Sequence, residues 1–296
     1  MTFSQISKNE FVQHCKLVSE KSFFQSLEMG ELLTKRGYDV RFVGYRDNSS
    51  TIVISSLVFC KKMFGGLYME LNSGPVVSDN SYLDKFFQSL RDYAKHEGVL
   101  ELVVKPSQTY QTFDSNGQPL GFEDTHLIEM LTKNDFQYDG LQTGYPNGEP
   151  VWHYVKDLEG ITEDTLVSSF SKKGKVLSKK ANSFGLNITR LTKDELPRFK
   201  AITEATSNRR DYTDKPLDYY QDLFDTFSDG ADFLIASLNL TTYLDLLHSQ
   251  EDKLKKIAEN LVQDLSINPK SRKKGNELRE IESQIESFEQ RKQNAE

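Results

Sequence analysis

The chain has 296 residues, 37% hydrophobic and 11% aromatic, enough for about two ordinary domains and a projecting element. A formal net charge of −7 sets it apart from general nucleic-acid binders, so any cationic surface must be local. Two cysteines, Cys15 and Cys60, provide no disulfide framework and suit a reducing compartment; MTFSQISKNEF holds no signal-peptide core, and no run of about 18 apolar residues could span a membrane.

From the N-terminus, a helix is expected over 24–36, ended by Gly37. Strands follow over 38–45, 51–62 and 66–71, the first two joined by turn residues at 47–50. A helix over 82–96 sets Leu83, Phe86, Phe87, Leu90 and Tyr93 on one stripe and stops at Gly98. Then come an apolar strand over 99–104, a helix over 124–133 and a strand over 136–141. Three strands in succession, followed by helix–strand–helix–strand, is the order of an acetyltransferase-like (GNAT) sheet; a doubly wound parallel sheet would put helices between those strands.

After the linker GYPNGEP, the plan starts again with a strand over 152–158, a helix over 162–183 capped by Gly185, and a strand over 186–191. Helices over 193–207 and 216–227 lead to a strand over 233–240. A second domain of this class needs more strands, so the repeat is expected to be incomplete, its remainder lying beyond residue 296 or the chain being a fragment. Over 242–296 two apolar stripes appear: Leu244, Leu247, Leu254, Ala258, Leu261 and Leu265, then Leu278, Ile281, Ile285, Phe288 and Ala295. Their alternating steps of three and four mark a coiled-coil seam, and a basic turn bracketed by Pro269 and Gly275 folds the helices back antiparallel. The expected class is therefore α/β (α+β): two acetyltransferase-like domains, over 1–147 and 148–241, the second incomplete, with an antiparallel coiled-coil arm over 242–296.

An acetyltransferase holds the coenzyme A pyrophosphate on backbone amides of an Arg/Gln-x-x-Gly-x-Gly/Ala turn. That spacing is missing; Gly65-Gly66 and Asn147-Gly148 are ordinary turn signals. No cofactor is expected, and His14, His96, His126, His153 and His248 show no metal-ligand spacing. In SFSKKGKVLSKKANSFG, Lys172, Lys175 and Lys179 fall on one side of a helix, beside Lys173 and Lys180. They form either a solvated face or a track for the phosphates of RNA or of a pyrophosphate-linked lipid. The arm's tip, with Lys270, Arg272, Lys273 and Lys274, carries the same two readings. In TSNRRDYTDKPLDYY, Arg209, Arg210 and Lys215 precede a proline-started helix with Tyr219 and Tyr220 in its first turns, either a phosphate clamp or a polar loop with core tyrosines.

The ordered set FFQSLEMGELLTKRG, LNSGPV, LVVKPSQTYQTFDSNG, SFSKKGKVLSKKANSFG and SNRRDYTDKPLDYY, leading to a helical arm, resembles the Fem (FemABX) peptidyltransferases over the whole chain. The similarity is greatest to the family's streptococcal alanine-adding branch. The resemblance implies two acetyltransferase-like domains with a seryl-tRNA-synthetase-like arm, and no coenzyme A. It implies transfer of an amino acid (Ala, or Ser or Gly) from aminoacyl-tRNA to the stem-peptide lysine or growing bridge of lipid II, in the cytoplasm at the membrane's inner face. By position, Lys215 stands at the family's basic residue that grips precursor phosphates and Tyr219 at a tyrosine of the same site. The family's first-helix lysine is replaced by Leu33, so Lys35 or Arg36 would substitute, and Arg209 is a further candidate. Lys172, Lys175, Lys179, Lys270, Arg272, Lys273 and Lys274 would face tRNA. Lys105 stands where many members have Asp before a proline, which removes one candidate general base and leaves the catalytic residues unassigned. Two other classes compete: a non-catalytic tRNA- or lipid-precursor-binding module, and a small-molecule N-acyltransferase that the missing coenzyme A turn disfavours. The arm is also open to a homodimer role.

Overall fold

The computed structural model describes residues 1–142, 144 and 151–295; the expected linker lies outside them apart from Gly144. In chain order the elements are β1 (Thr2–Gln5), α1 (Lys8–Leu17), α2 (Leu27–Lys35), β2 (Asp39–Arg46), β3 (Ile52–Met63), β4 (Gly66–Asn72), β5 (Val76–Val77), α3 (Leu83–His96), β6 (Val99–Lys105), β7 (Thr112–Phe113), β8 (Pro119–Leu120), α4 (His126–Lys133), α5 (Glu163–Leu166), α6 (Lys172–Asn182), β9 (Asn187–Arg190), α7 (Leu196–Arg210), α8 (Leu217–Phe227), β10 (Leu234–Ser237), α9 (Leu240–Ile267) and α10 (Arg272–Gln293). They pack as two units: Met1–Tyr154 with Lys200–Ala231, and Val155–Phe199 with Asp232–Glu296. The segment Lys200–Ala231, which the sequence reading assigns to the domain over 148–241, thus packs with the N-terminal residues, because α8 lies against α2.

The first unit is built on a sheet ordered β1-β2-β3-β4-β6, antiparallel except for the parallel β4–β6 pair, with β5 on β3. One face buries Val43, Val58, Cys60, Met69 and Leu71 under Leu83, Phe86, Phe87, Leu90 and Ala94 of α3. That apolar spacing makes α3 amphipathic, and Gly98, at φ 74°, ends it. On the other face, Phe42, Leu57 and Val76 meet Phe11 and Cys15 of α1, with Leu27 and Leu33 of α2 packed beside them. β1 and α1 went unread because β1 is short and α1 buries only Phe11, His14 and Cys15. A capping box nonetheless starts α1: Glu10 N–H donates to Ser7 Oγ at 3.2 Å and Ser7 N–H to Glu10 Oε2 at 2.8 Å.

Two expected strands are absent. Over 136–141 the chain is irregular, because Asp135 takes φ 65° and Phe136 N–H caps α4 by donating to Leu131 O at 3.1 Å. The Phe136 ring then packs edge-on to Phe87. Over 152–158 no ladder forms among the described residues, and β propensity without a partner strand makes no strand.

In the second unit β9 and β10 pair antiparallel. The helix expected over 162–183 is broken: Phe170 is extended (ψ 156°) and Ser171 Oγ accepts from Gly174 N–H at 3.1 Å, starting α6 anew. α9 and α10 form an antiparallel hairpin burying Leu247 and Leu261. The basic turn is shorter than expected. Ser171's counterpart is Ser271, which caps α10, so that Arg272, Lys273, Lys274 and Gly275 all lie in the helix. Among the described residues, no helix is long and apolar enough to cross a membrane.

Candidate functional site

In the first unit α2 and α8 run antiparallel, because Arg36, at the end of α2, meets Tyr219 near the start of α8, and Phe23, before α2, meets Phe227 at the end of α8. The Arg36 guanidinium lies 5.0 Å from the Tyr219 ring centroid and the Lys215 ammonium 5.6 Å from it. Cations attract a ring's negative face, but two of them at one ring repel each other. Neither Arg36 nor Lys215 is in a salt bridge among the described residues. Two exposed, unneutralised cations close to one phenol ring are suited to an anion with several oxygens. Of the two expected substitutes for the first-helix lysine, the structure brings Arg36 to the ring and leaves Lys35 exposed away from it; Arg209 is likewise exposed and does not join.

Beneath this pair sits Asp214, whose side chain is 8% exposed. Its Oδ2 accepts from Lys200 Nζ at 2.7 Å and Thr203 Oγ1 at 2.8 Å; its Oδ1 accepts from Tyr220 Oη at 2.7 Å and Lys215 N–H at 2.9 Å. Burial opposes the charge, but the donors from Lys200, Tyr220, Thr203 and Lys215 outweigh it and hold the carboxyl far below the usual carboxylate range. Burial first, and Asp214 next, push the Tyr220 phenol up to about 12. Sequence reasoning missed this hub. The Asp-Lys-Pro triplet signals a turn before a helix, but nothing local announces Lys200 and Thr203 on the preceding helix.

Lys105 is engaged by a carboxylate: its ammonium sits 2.8 Å from Glu70 Oε1, and Glu70 also accepts from the Tyr68 hydroxyl.

The second unit carries the remaining cations. Lys172, Lys175 and Lys179 are exposed on α6. Just past α6, Phe184 packs on Tyr243 of α9, and Arg291 of α10 lies 5.0 Å from the Phe184 ring and 5.5 Å from that of Tyr243. Lysine helix and hairpin base are thereby joined. At the tip, Lys270, Arg272 and Lys273 are exposed beside an open hollow of about 540 Å³ lined by Pro269, Ser271 and Arg279 among others. Lys274 differs: its ammonium bonds Asp264 Oδ2 at 2.6 Å across the hairpin.

A model of the FemAB family matches residues 6–296. The chain belongs to the FemAB family. It is 24% identical to the aminoacyltransferase FemA of Staphylococcus aureus strain bovine RF122 / ET3-1 over 98% of this chain and 70% of that protein. The same figures hold for FemA of strain N315. Among solved structures, the crystal structure of FemX superposes with a TM-score of 0.62 at 16% identity, covering 100% of this chain and 72% of that one. This likeness shows a mixed α/β, FemX-like fold.

Proposed function

We propose that this chain, an aminoacyltransferase of the FemAB family, moves alanine, or serine or glycine, from aminoacyl-tRNA onto the stem-peptide lysine or growing bridge of lipid II in peptidoglycan cross-bridge synthesis. The observation that carries the reading is the convergence of Arg36 and Lys215 on Tyr219, an anion clamp of the kind a lipid-linked pyrophosphate requires. The lysines of α6 and the exposed cations of the hairpin tip supply the tRNA contacts, on the cytoplasmic side of the membrane where lipid II presents its headgroup. The division into two acetyltransferase-like domains and a coiled-coil arm belongs to this proposal.

The reaction is aminolysis of an ester. The neutral amine nitrogen forms a bond to the aminoacyl carbonyl carbon, the carbon–oxygen bond to the ribose breaks, and the amine proton ends on the departing ribose oxygen. The ester is already activated, so holding amine and carbonyl in line supplies much of the rate, up to ~7–11 kcal/mol in favourable intramolecular models. No protein nucleophile is needed.

The test is transfer of labelled alanine from Ala-tRNA to lipid II, with Arg36→Ala and Lys215→Ala beside the parent chain. Each variant is expected to bind lipid II about tenfold more weakly, with tRNA affinity unchanged. Unchanged lipid II affinity in both would refute the clamp. Binding of both substrates without transfer, for alanine, serine and glycine alike, would make the chain a binding module.

A further inference from the structure

Resting on the clamp reading above, we infer that Asp214 is a positioning residue for the pyrophosphate-bearing substrate, acting through Lys215. Lys215 sits on the short loop that enters α8, and Tyr219 follows it in the first turn of that helix. That loop has little apolar anchorage, since Asp211, Tyr212 and Thr213 are exposed and Asp211 takes φ 54°. What fixes it is the Asp214 carboxylate. Through Lys200 and Thr203 it is tied to α7, through Tyr220 to the first turn of α8, and through the Lys215 N–H to the residue whose ammonium faces the ring.

The electrostatics favour this arrangement over a neutral one. A carboxylate bearing donors from four groups stays ionised, so Lys200 is neutralised locally and does not add its charge to the clamp. Asp214 therefore holds the backbone of Lys215 while Lys200 stays paired with it. Tyr220, spent on Asp214, is the neighbour that cannot serve the ligand, which leaves Tyr219 as the phenol of the site.

The experiment is equilibrium binding of lipid II in detergent micelles, with inorganic pyrophosphate as competitor, to four chains: the parent, Asp214→Asn, Lys215→Ala and the double variant. Asp214→Asn is expected to weaken lipid II binding about five- to tenfold, to weaken competition by pyrophosphate in step, and to leave tRNA affinity unchanged. Because Asp214 acts through Lys215, the double variant should bind no more weakly than Lys215→Ala alone. Additive losses, or an Asp214→Asn chain that binds as the parent does while Lys215→Ala binds weakly, overturn the inference and leave the clamp standing. A silent Lys215→Ala overturns the clamp and the inference together. Should Asp214→Asn fail to fold, Tyr220→Phe and Thr203→Val each remove one donor to the same carboxylate. Each should weaken lipid II binding about two- to threefold, again only when Lys215 is present; a loss that persists without Lys215 refutes the role.

Discussion

Glu251 of α9, only 2% exposed, is ion-paired to Lys292 of α10 in the middle of an otherwise apolar stripe. Its second oxygen faces Lys255, one turn on, at 2.9 Å. Leu247, Leu254 and Leu261 would accept several registers of a partner helix; a buried carboxylate with one cross-helix lysine accepts one. Hydrogen bonds from Lys292 and then Lys255 hold the Glu251 carboxyl below its ordinary value. Its contribution is therefore full above the ordinary glutamate range and is lost as pH falls through the lowered folded value. Lys292→Met should destabilise the hairpin by about 1–3 kcal/mol, because it leaves the buried carboxylate with only the half-exposed Lys255, whereas Glu251→Leu with Lys292→Met should restore much of the loss. Amide exchange along α9 and α10 reads both; equal losses would refute the register role.

Exposed lysines on one helix face act on nucleic acid through counterion release. Replacing Lys172, Lys175 and Lys179 by Gln should weaken tRNA binding and lower the salt slope by roughly two to three, on the order of 0.7–0.9 per phosphate contact. The melting temperature should stay within about a degree or two, since none of the three is buried. Titration of tRNA against salt concentration decides it.

The tip cations should split in two. Arg272→Gln and Lys273→Gln should reduce tRNA affinity and leave stability unchanged. Lys274→Gln should instead loosen the tip, by up to about 1 kcal/mol, because it breaks the bond to Asp264 at the surface. Thermal melts and filter binding on the three variants separate the effects.

His14 is buried between two hydroxyls. Ser78 Oγ gives its proton to Val53 O at 3.0 Å and accepts from His14 Nε2–H at 3.2 Å, so Nδ1 is the acceptor for Ser55 Oγ–H at 2.7 Å. Burial holds the His14 pKa below the ordinary histidine value. The folded state thus favours the neutral ring; stability is full above the ordinary value of about 6.5 and declines as pH falls towards the depressed one, by at most about 1.4 kcal/mol per pH unit. His14→Gln should flatten that decline in urea titrations between pH 7.5 and 5.

Much of this was legible in the chain. The spacing of Phe86, Phe87 and Leu90 and the turn residues around Asp47 mark the core helix and the first hairpin, because those signals are local. What escaped was non-local or contested. Phe136 was drawn into a strand although its N–H belongs to the cap of α4, and Ser171 cut a helix that periodicity alone would have carried through. At the candidate site, motif positions name Lys215 and Tyr219, with Lys35 or Arg36 as alternatives beside them. Only packing shows that Arg36 and not Lys35 approaches the Tyr219 ring, and that Lys274 and Lys105 are occupied by Asp264 and Glu70.

The stacking of α8 on α2 has a consequence for biosynthesis. Arg36 leaves the ribosome more than half the chain before Lys215 and Tyr219. At about 5–20 residues per second, the delay is on the order of ten to forty seconds. Through that interval the surface of α2 that will receive α8 lacks that cover. Slowing translation between the two segments would lengthen that exposure, and Arg36 meets the Tyr219 ring only when the later segment docks.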